Sequence, residues 1–204
     1  MTPRRIAVAL LSALASSSVA VAAMAASATG PMAELTDEAR TAVNELHQQI
    51  AGELAREYAI SGTLRSIVVC KYTAPELTSA LSRRYGAQVR RVTLRVRNPS
   101  LGTADRWEQT QLLDFDRRVA RGEDLSSLEV AEVVDEPAGR YFRYLKAIVA
   151  GTLCVSCHGP VESMTAATRA RLASEYPHDR ATGYRAGDML GAISFKKPLP
   201  ETPP

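Results

Sequence analysis

Residues 154–158 of this 204-residue chain read Cys-Val-Ser-Cys-His, with Gly159 and Pro160 behind them. Two thiols three positions apart can each add to a vinyl group of one porphyrin, and the next residue then lies under the iron. CxxCH is therefore the attachment pattern of a c-type haem. A chain that carries it has to fold around a bound cofactor as well as around its own side chains. On this reading Cys154 and Cys157 form thioethers to a single haem c, and His158 is the proximal iron ligand.

Three other uses of the motif compete. A thioredoxin-type CxxC opens a helix after a strand, but nothing in that chemistry calls for His158. Cys70, Cys154, Cys157 and His158 could make a Cys3His zinc set, although closed zinc sites usually pair two short-spaced clusters, and this chain has one. A Cys154–Cys157 disulfide would close a loop too short to stabilise the fold much.

The amino terminus agrees with haem attachment outside the cytoplasm. Arg4 and Arg5 precede an uncharged, alanine-rich run over residues 6–23, and Ala23-Met24-Ala25 is a small-x-small cleavage site. Residues 1–25 therefore read as a secretory signal, which places the mature protein in the periplasm. The run is rich in Ala and Ser and only just long enough to span a bilayer, so no stable membrane span is expected after cleavage.

Loss of the signal removes two arginines and no acid, and the formal charge of +3 falls to about +1. Such a balance argues against nucleic acid as a partner. One stretch is locally basic, with Arg83, Arg84, Arg90, Arg91, Arg95 and Arg97. It is either a solvated face or a set of cations for the two haem propionates.

Apolar residues at Leu35, Ala39, Val43, Leu46, Ile50 and Leu54 recur every three or four positions and predict a long helix over residues 35–58 that Gly62 ends or kinks. Thr73-Ala74-Pro75-Glu76 has the form of a capping box opening a second helix that stops near Gly86, which puts Cys70 just before a helix start. Val92, Leu94 and Val96 alternate with polar residues as in a strand. Asp105 and Glu108 cap a helix with Trp107, Leu112, Phe115 and Val119 on one side. Strands follow over residues 128–134 and 140–149, then a helix from Pro160 to about Glu175 and a strand over residues 190–195. Helices first and strands interspersed, without a βαβ rhythm, predict an α+β domain over residues 30–197 with an antiparallel sheet and a disordered tail over residues 198–204.

Several of these pieces occur together in one family. They are the long first helix, Ile67-Val68-Val69-Cys70 with Ala74-Pro75, Arg97-Asn98-Pro99, Asp105-Arg106-Trp107-Glu108, Tyr141-Phe142-Arg143-Tyr144, the segment around CxxCH, and Tyr176-Pro177 with Asp179, Ala181, Gly183, Tyr184, Gly187, Asp188 and Gly191. Over nearly the whole mature chain the pattern resembles a bacterial domain-of-unknown-function family of secreted single-haem c-type proteins. That resemblance implies a PAS-like antiparallel sheet with flanking helices. It also implies an iron held by the CxxCH histidine and by an upstream cysteine, which matches Cys70. The chain departs from the family at residues 100–104, where members carry Asn-x-Pro.

The residues make their own case for Cys70, the one cysteine left when two become thioethers; an unpaired thiol in an oxidising compartment is either buried and inert or used. Other distal ligands rank lower. His178 lies in a turn-like stretch and His47 among polar residues, while Met164 and Met189 read as core. Gly183, Gly187 and Gly191 predict tight loops with positive φ. A thiolate pushes electron density onto iron, so a His158/Cys70 pair implies a low potential and no open site for substrate. The expectation is a periplasmic, cytochrome-like, non-enzymatic protein for electron transfer or redox sensing, working with a separate protein partner. A haem-based gas or redox sensor is the alternative, and a peroxidase-like enzyme the outsider.

Overall fold

The computed structural model describes residues 30–200. The predicted signal and its cleavage site lie outside the described residues, as do residues 201–204. The architecture is the expected α+β arrangement, with a long first helix and further helices flanking a four-stranded antiparallel sheet of order β1-β4-β3-β2. Among the described residues no helix is long and apolar enough to cross a membrane.

Helix α1 runs Pro31–Ser61, with proline where its missing N–H costs nothing. Its Ala39, Ala42, Val43, Leu46 and Ile50 are buried, as the spacing requires. Gly62 ends it at φ 62°, a conformation that residues with a Cβ rarely adopt, and its N–H closes on the Tyr58 carbonyl. Helix α2 (Thr63–Val68) then passes without a break, through a π-helical turn at Val69–Thr73, into α3 (Ala74–Tyr85). This corrects the expected capping box, because Thr73 is helical and its side chain caps nothing. Pro75 explains the widened turn. Its ring crowds the carbonyl four residues back and it offers no N–H, so the preceding turn opens and the Ala74 N–H reaches the Val69 carbonyl. Cys70 thus sits within a continuous, locally unwound helix and not ahead of one.

Strand β1 covers Gln88–Val92, four residues earlier than the alternation suggested. Beyond Val92 the chain leaves the sheet: Thr93 bridges to Thr103, Leu94 is exposed, and Arg95 and Arg97 turn toward the loop 179–184. After the short helix α4 (Pro99–Gly102), α5 (Arg106–Ala120) opens on the predicted capping box, with Asp105 Oδ1 accepting from the Glu108 amide and Glu108 Oε2 from the Asp105 amide. Strands β2 (Glu129–Glu136) and β3 (Gly139–Val149) form a hairpin. Helix α6 (Thr152–His158) carries CxxCH. The predicted helix from Pro160 is instead a 3-10 turn at Val161–Ser163, followed by α7 (Ala166–Glu175), which Thr165 caps. Strand β4 (Met189–Pro198) extends past the expected domain end, and the Leu199 N–H still donates to the Arg140 carbonyl, so the ordered chain reaches into the stretch expected to be disordered.

Each face of the sheet has its own core. On one, Phe142, Tyr144, Ile193 and Phe195 pack under α1 and α3. On the other, Leu145, Ala147 and Ala192 pack under Leu112 and Phe115 of α5. Each of the leucine, isoleucine and phenylalanine side chains among them contributes about 1.5–3 kcal/mol by leaving water. Arg143 is the exception on β3, a charged side chain only 2% exposed. Its guanidinium donates to Asp105 Oδ2 at 2.7 Å and Glu136 Oε1 at 2.8 Å, lies 3.4 Å from Glu108, which is 1% exposed, and stacks 4.4 Å from the Trp107 ring. Arg90 pairs with Glu108 from β1. The cap of α5 is thereby bolted to the sheet.

Replacing Arg143 by alanine takes a cation from the buried Glu108 carboxylate and from the partly exposed Asp105 and Glu136, and is expected to lower unfolding stability by about 3 kcal/mol, measured by denaturant titration. Acid acts on the same network. Burial pushes the Asp105 carboxyl up, but the Glu108 amide and Arg143 more than offset it; at Glu136 burial is likewise overcome by Lys196 and Arg143. Both folded pKa values lie below the unfolded ones, so their stabilisation is present above the ordinary carboxylate range and is lost as pH falls through the folded values. Arg143→Ala is expected to flatten that acid limb of the stability curve.

Candidate cofactor site

The connection from β3 to β4 carries most of the site. Ala150 exchanges backbone hydrogen bonds with residues 187 and 188 at 2.8 Å each, which pins the start of α6 to the end of the loop before β4. Gly151 then opens α6, and Gly159 closes it by donating to the Val155 carbonyl at 2.8 Å. Cys154, Cys157 and His158 are half-buried on this single turn and a half.

The far side comes from the amino-terminal helices. Thr63 and Thr168 share a hydrogen bond between hydroxyls at 2.7 Å, and Lys71 donates to the Glu175 carbonyl while lying 4.9 Å from the Tyr176 ring centroid. These contacts hold α2 and the π-turn against α7, with Cys70 between the two attachment points. Ile67, Met164, Leu172 and Tyr176 form a small apolar cluster on which Cys157 packs. All three cysteines are free thiols. Burial pushes the Cys157 thiol up, and the charges Cys70 and Cys154 would carry push the same way, so both lie within electrostatic reach of Cys157. Burial and then Cys70 raise Tyr176 as well.

His158 is held at both nitrogens. Nδ1 lies 2.8 Å from the Ala181 carbonyl, and Nε2 lies 3.3 Å from Arg97 Nη1. A carbonyl can only accept and a guanidinium can only donate, so the ring is neutral with its proton on Nδ1. Burial, and after it the Arg97 charge, depress its pKa to about 3. The Tyr184 ring meets the imidazole edge-on, with centroids 6.3 Å apart, and Arg95 stacks 4.2 Å from Tyr184 while donating to the Thr182 carbonyl. Gly183, at φ 76°, permits the turn that brings its N–H to the Gly159 carbonyl at 2.8 Å.

The donor set can be tested against the groups the sequence suggested. Among the described residues no three His, Cys, Asp or Glu side chains are grouped to hold a metal ion, so Cys70, Cys154, Cys157 and His158 do not make the four-ligand zinc set. A haem makes different demands: two free thiols on one helical turn, a neutral imidazole with its proton on Nδ1 and its lone pair on Nε2, and apolar walls. The residues present fit these demands. Of the other distal candidates, His178 and His47 are exposed, Met189 is half-buried on β4, and Met164 is buried in the cluster beside Cys157.

The basic stretch divides. Arg84 pairs with Glu45 and Arg90 with Glu108, while Arg95 and Arg97 bind the loop 179–184. Among the described residues Arg91 makes no ion pair, and its charge acts on both His158 and Tyr176. From the sequence, Arg97 is only one cation of the basic stretch, a solvated or propionate-binding residue, and Asp179 and Ala181 have no signal beyond membership of the recurring pattern.

Gly159 has no space for a side chain, since a Cβ would stand well inside 3.0 Å of the Val155 carbonyl oxygen, whereas one on Gly151 would meet only Cys154 Sγ at 4.0 Å. Gly159→Ala is expected to cost about 1–3 kcal/mol and Gly151→Ala less than about 0.5 kcal/mol, measured as thermal midpoints of the haem-free chain.

Among solved structures, the cyanobacterial haem protein Tll0287 shares this fold: it is 23% identical, the match covers 85% of this chain and 99% of that one, and the TM-score is 0.64. At that identity the likeness is one of fold. No curated protein matches. A family model described as Tll0287-like matches residues 15–198, nearly the full length, and the chain belongs to the Tll0287-like family.

Proposed function

We propose that this chain is an exported, monohaem c-type protein that transfers single electrons or senses redox state through a separate protein partner. The observation that carries the reading is the preparation of His158, whose Nδ1 proton is committed to the Ala181 carbonyl so that Nε2 presents its lone pair, here to Arg97, one residue from a free thiol pair. The family's haem-protein member adds to it. Cys154 and Cys157 would hold the porphyrin by thioethers, and His158 and Cys70 would be the iron ligands. A haem so held supplies one-electron chemistry at iron.

The chain's own residues then set how that chemistry runs. The Ala181 carbonyl orients the imidazole and makes it a better donor. Ile67, Leu172 and Tyr176 exclude water from the thioether side. A Cys70 thiolate on iron would favour the ferric state and so a low potential, and would leave no open iron site for substrate. Arg91, which makes no ion pair among the described residues, would meet a propionate carboxylate. Residues 1–25 would export the chain to the periplasm, where attachment is completed.

The ligand set can be checked on the exported protein by absorption and low-temperature EPR spectroscopy. Wild type is expected to be six-coordinate and low-spin with a sulfur ligand. Cys70→Ala should lose that signature, rise in midpoint potential and bind CO when reduced. An unchanged spectrum and potential would remove Cys70 from the iron. Reduced wild type that exchanges electrons with a periplasmic cytochrome but binds no CO, NO or O2 supports electron transfer; gas binding at physiological concentration supports sensing instead.

A further inference from the structure

In sequence Arg97 is one cation of a basic stretch, yet in the fold it bonds Asp179, the Cys157 and Ala181 carbonyls and the His158 ring. It is 10% exposed. Its Nε and Nη2 fork onto Asp179 Oδ2 at 3.0 and 2.9 Å, and Nη2 also donates to the Cys157 carbonyl at 2.6 Å and the Ala181 carbonyl at 3.1 Å. Nη1 is left pointing at His158 Nε2, 3.3 Å away. Asp179 is 11% exposed and itself accepts from the Ala181 amide at 2.8 Å, so guanidinium, carboxylate and peptide form one closed unit.

This unit decides two things about the imidazole. The guanidinium never accepts a hydrogen bond, so the nitrogen facing it must present a lone pair. The Ala181 carbonyl, which takes the proton at the other nitrogen, accepts from the same guanidinium, and the Ala181 amide is held by the same aspartate. Both ends of the ring therefore depend on Arg97. A histidine that binds iron through Nε2 must have its proton on Nδ1, which in a free side chain is the less populated neutral form.

We propose that Arg97 is the positioning residue of the haem site: in the haem-free chain it caps His158 Nε2, fixes the ring in the iron-binding tautomer and orientation, and gives up that one contact when the nitrogen passes to iron. This rests on the reading of His158 as the proximal ligand. Nε, Nη2 and their three acceptors are not consumed by the exchange, so Arg97 stays anchored beside the ligated ring. Sequence position conceals the arrangement, since Arg97 is 61 residues from His158 and 82 from Asp179.

The test uses full-length chain made with 15N-labelled histidine in a host that does not attach haem. The three histidines are separable, because His158→Gln identifies one set of ring signals. Wild-type His158 is expected as a single Nδ1–H tautomer whose Nε2 signal is shifted by an accepted hydrogen bond. In Arg97→Leu that Nε2 shift should vanish and an Nε2–H population appear, with Arg97→Lys partly restoring the wild-type pattern. Asp179→Asn, which touches neither ring nitrogen, should give an intermediate spectrum and guards against misfolding of the leucine variant. On export with haem maturation, the fraction of chain carrying haem should fall several-fold in Arg97→Leu and less in Arg97→Lys. His158 ring signals that are the same in wild type, Arg97→Leu and Asp179→Asn would overturn the proposal even if all three carry haem. A wild-type chain that never carries haem, with the expected ring signals, would overturn the function reading and leave the Arg97 geometry standing.

Discussion

The Arg97–Asp179 pair is the joint on which the site depends. It is about nine-tenths buried on both sides, and it ties the segment after β1, the carboxyl end of α6 and the loop before β4 to one another. Removing one partner of a buried pair leaves an uncompensated charge, so such a pair is hard to lose once it exists. Here it also has a chemical consequence, because the guanidinium faces the one imidazole nitrogen that could bind iron.

The fold makes this joint by an unusual use of a strand connection. Strands β3 and β4 are adjacent and antiparallel, yet some forty residues separate them, and those residues hold α6, α7 and the loop 179–184. The sheet fixes the two ends of that excursion, with Ala150 bonded back to residues 187 and 188. Gly191 lets β4 pass close by β1, since a Cβ there would stand inside 3.0 Å of the Val92 carbonyl oxygen. The opposite wall is supplied by the amino-terminal helices, where the turn that Pro75 forces open carries Cys70. Two parts of the chain remote in sequence therefore meet at the cofactor site while the cores on the two sheet faces stay closed.

Much of this was legible in residue patterns with short-range causes. The periodicity of α1, the capping box of α5, the β2–β3 hairpin, the positive φ of Gly183 and the CxxCH turn each follow from a few neighbouring residues, as does the family resemblance that their order suggests. The failures have tertiary causes. Thr73-Ala74-Pro75-Glu76 has a cap's composition, but packing against α7 keeps the helix continuous, so Pro75 widens a turn instead of starting one. Val92, Leu94 and Val96 alternate as a strand should, but β4 offers partners only up to Val92, and the arginines beyond it find better acceptors in the loop 179–184. The roles of Arg97, Asp179 and the Ala181 carbonyl were invisible for the same reason, since only the folded chain brings them to His158.

The central claim is that one haem is carried covalently by Cys154 and Cys157. Mass spectrometry of the exported protein, unfolded in acid so that any non-covalent cofactor is shed, tests it most directly. The account predicts a single species heavier than the mature polypeptide by one haem, reduced to the bare polypeptide mass when both cysteines are replaced by serine. The bare polypeptide mass in the wild-type protein, under conditions in which a known c-type cytochrome is matured in the same cells, would contradict it.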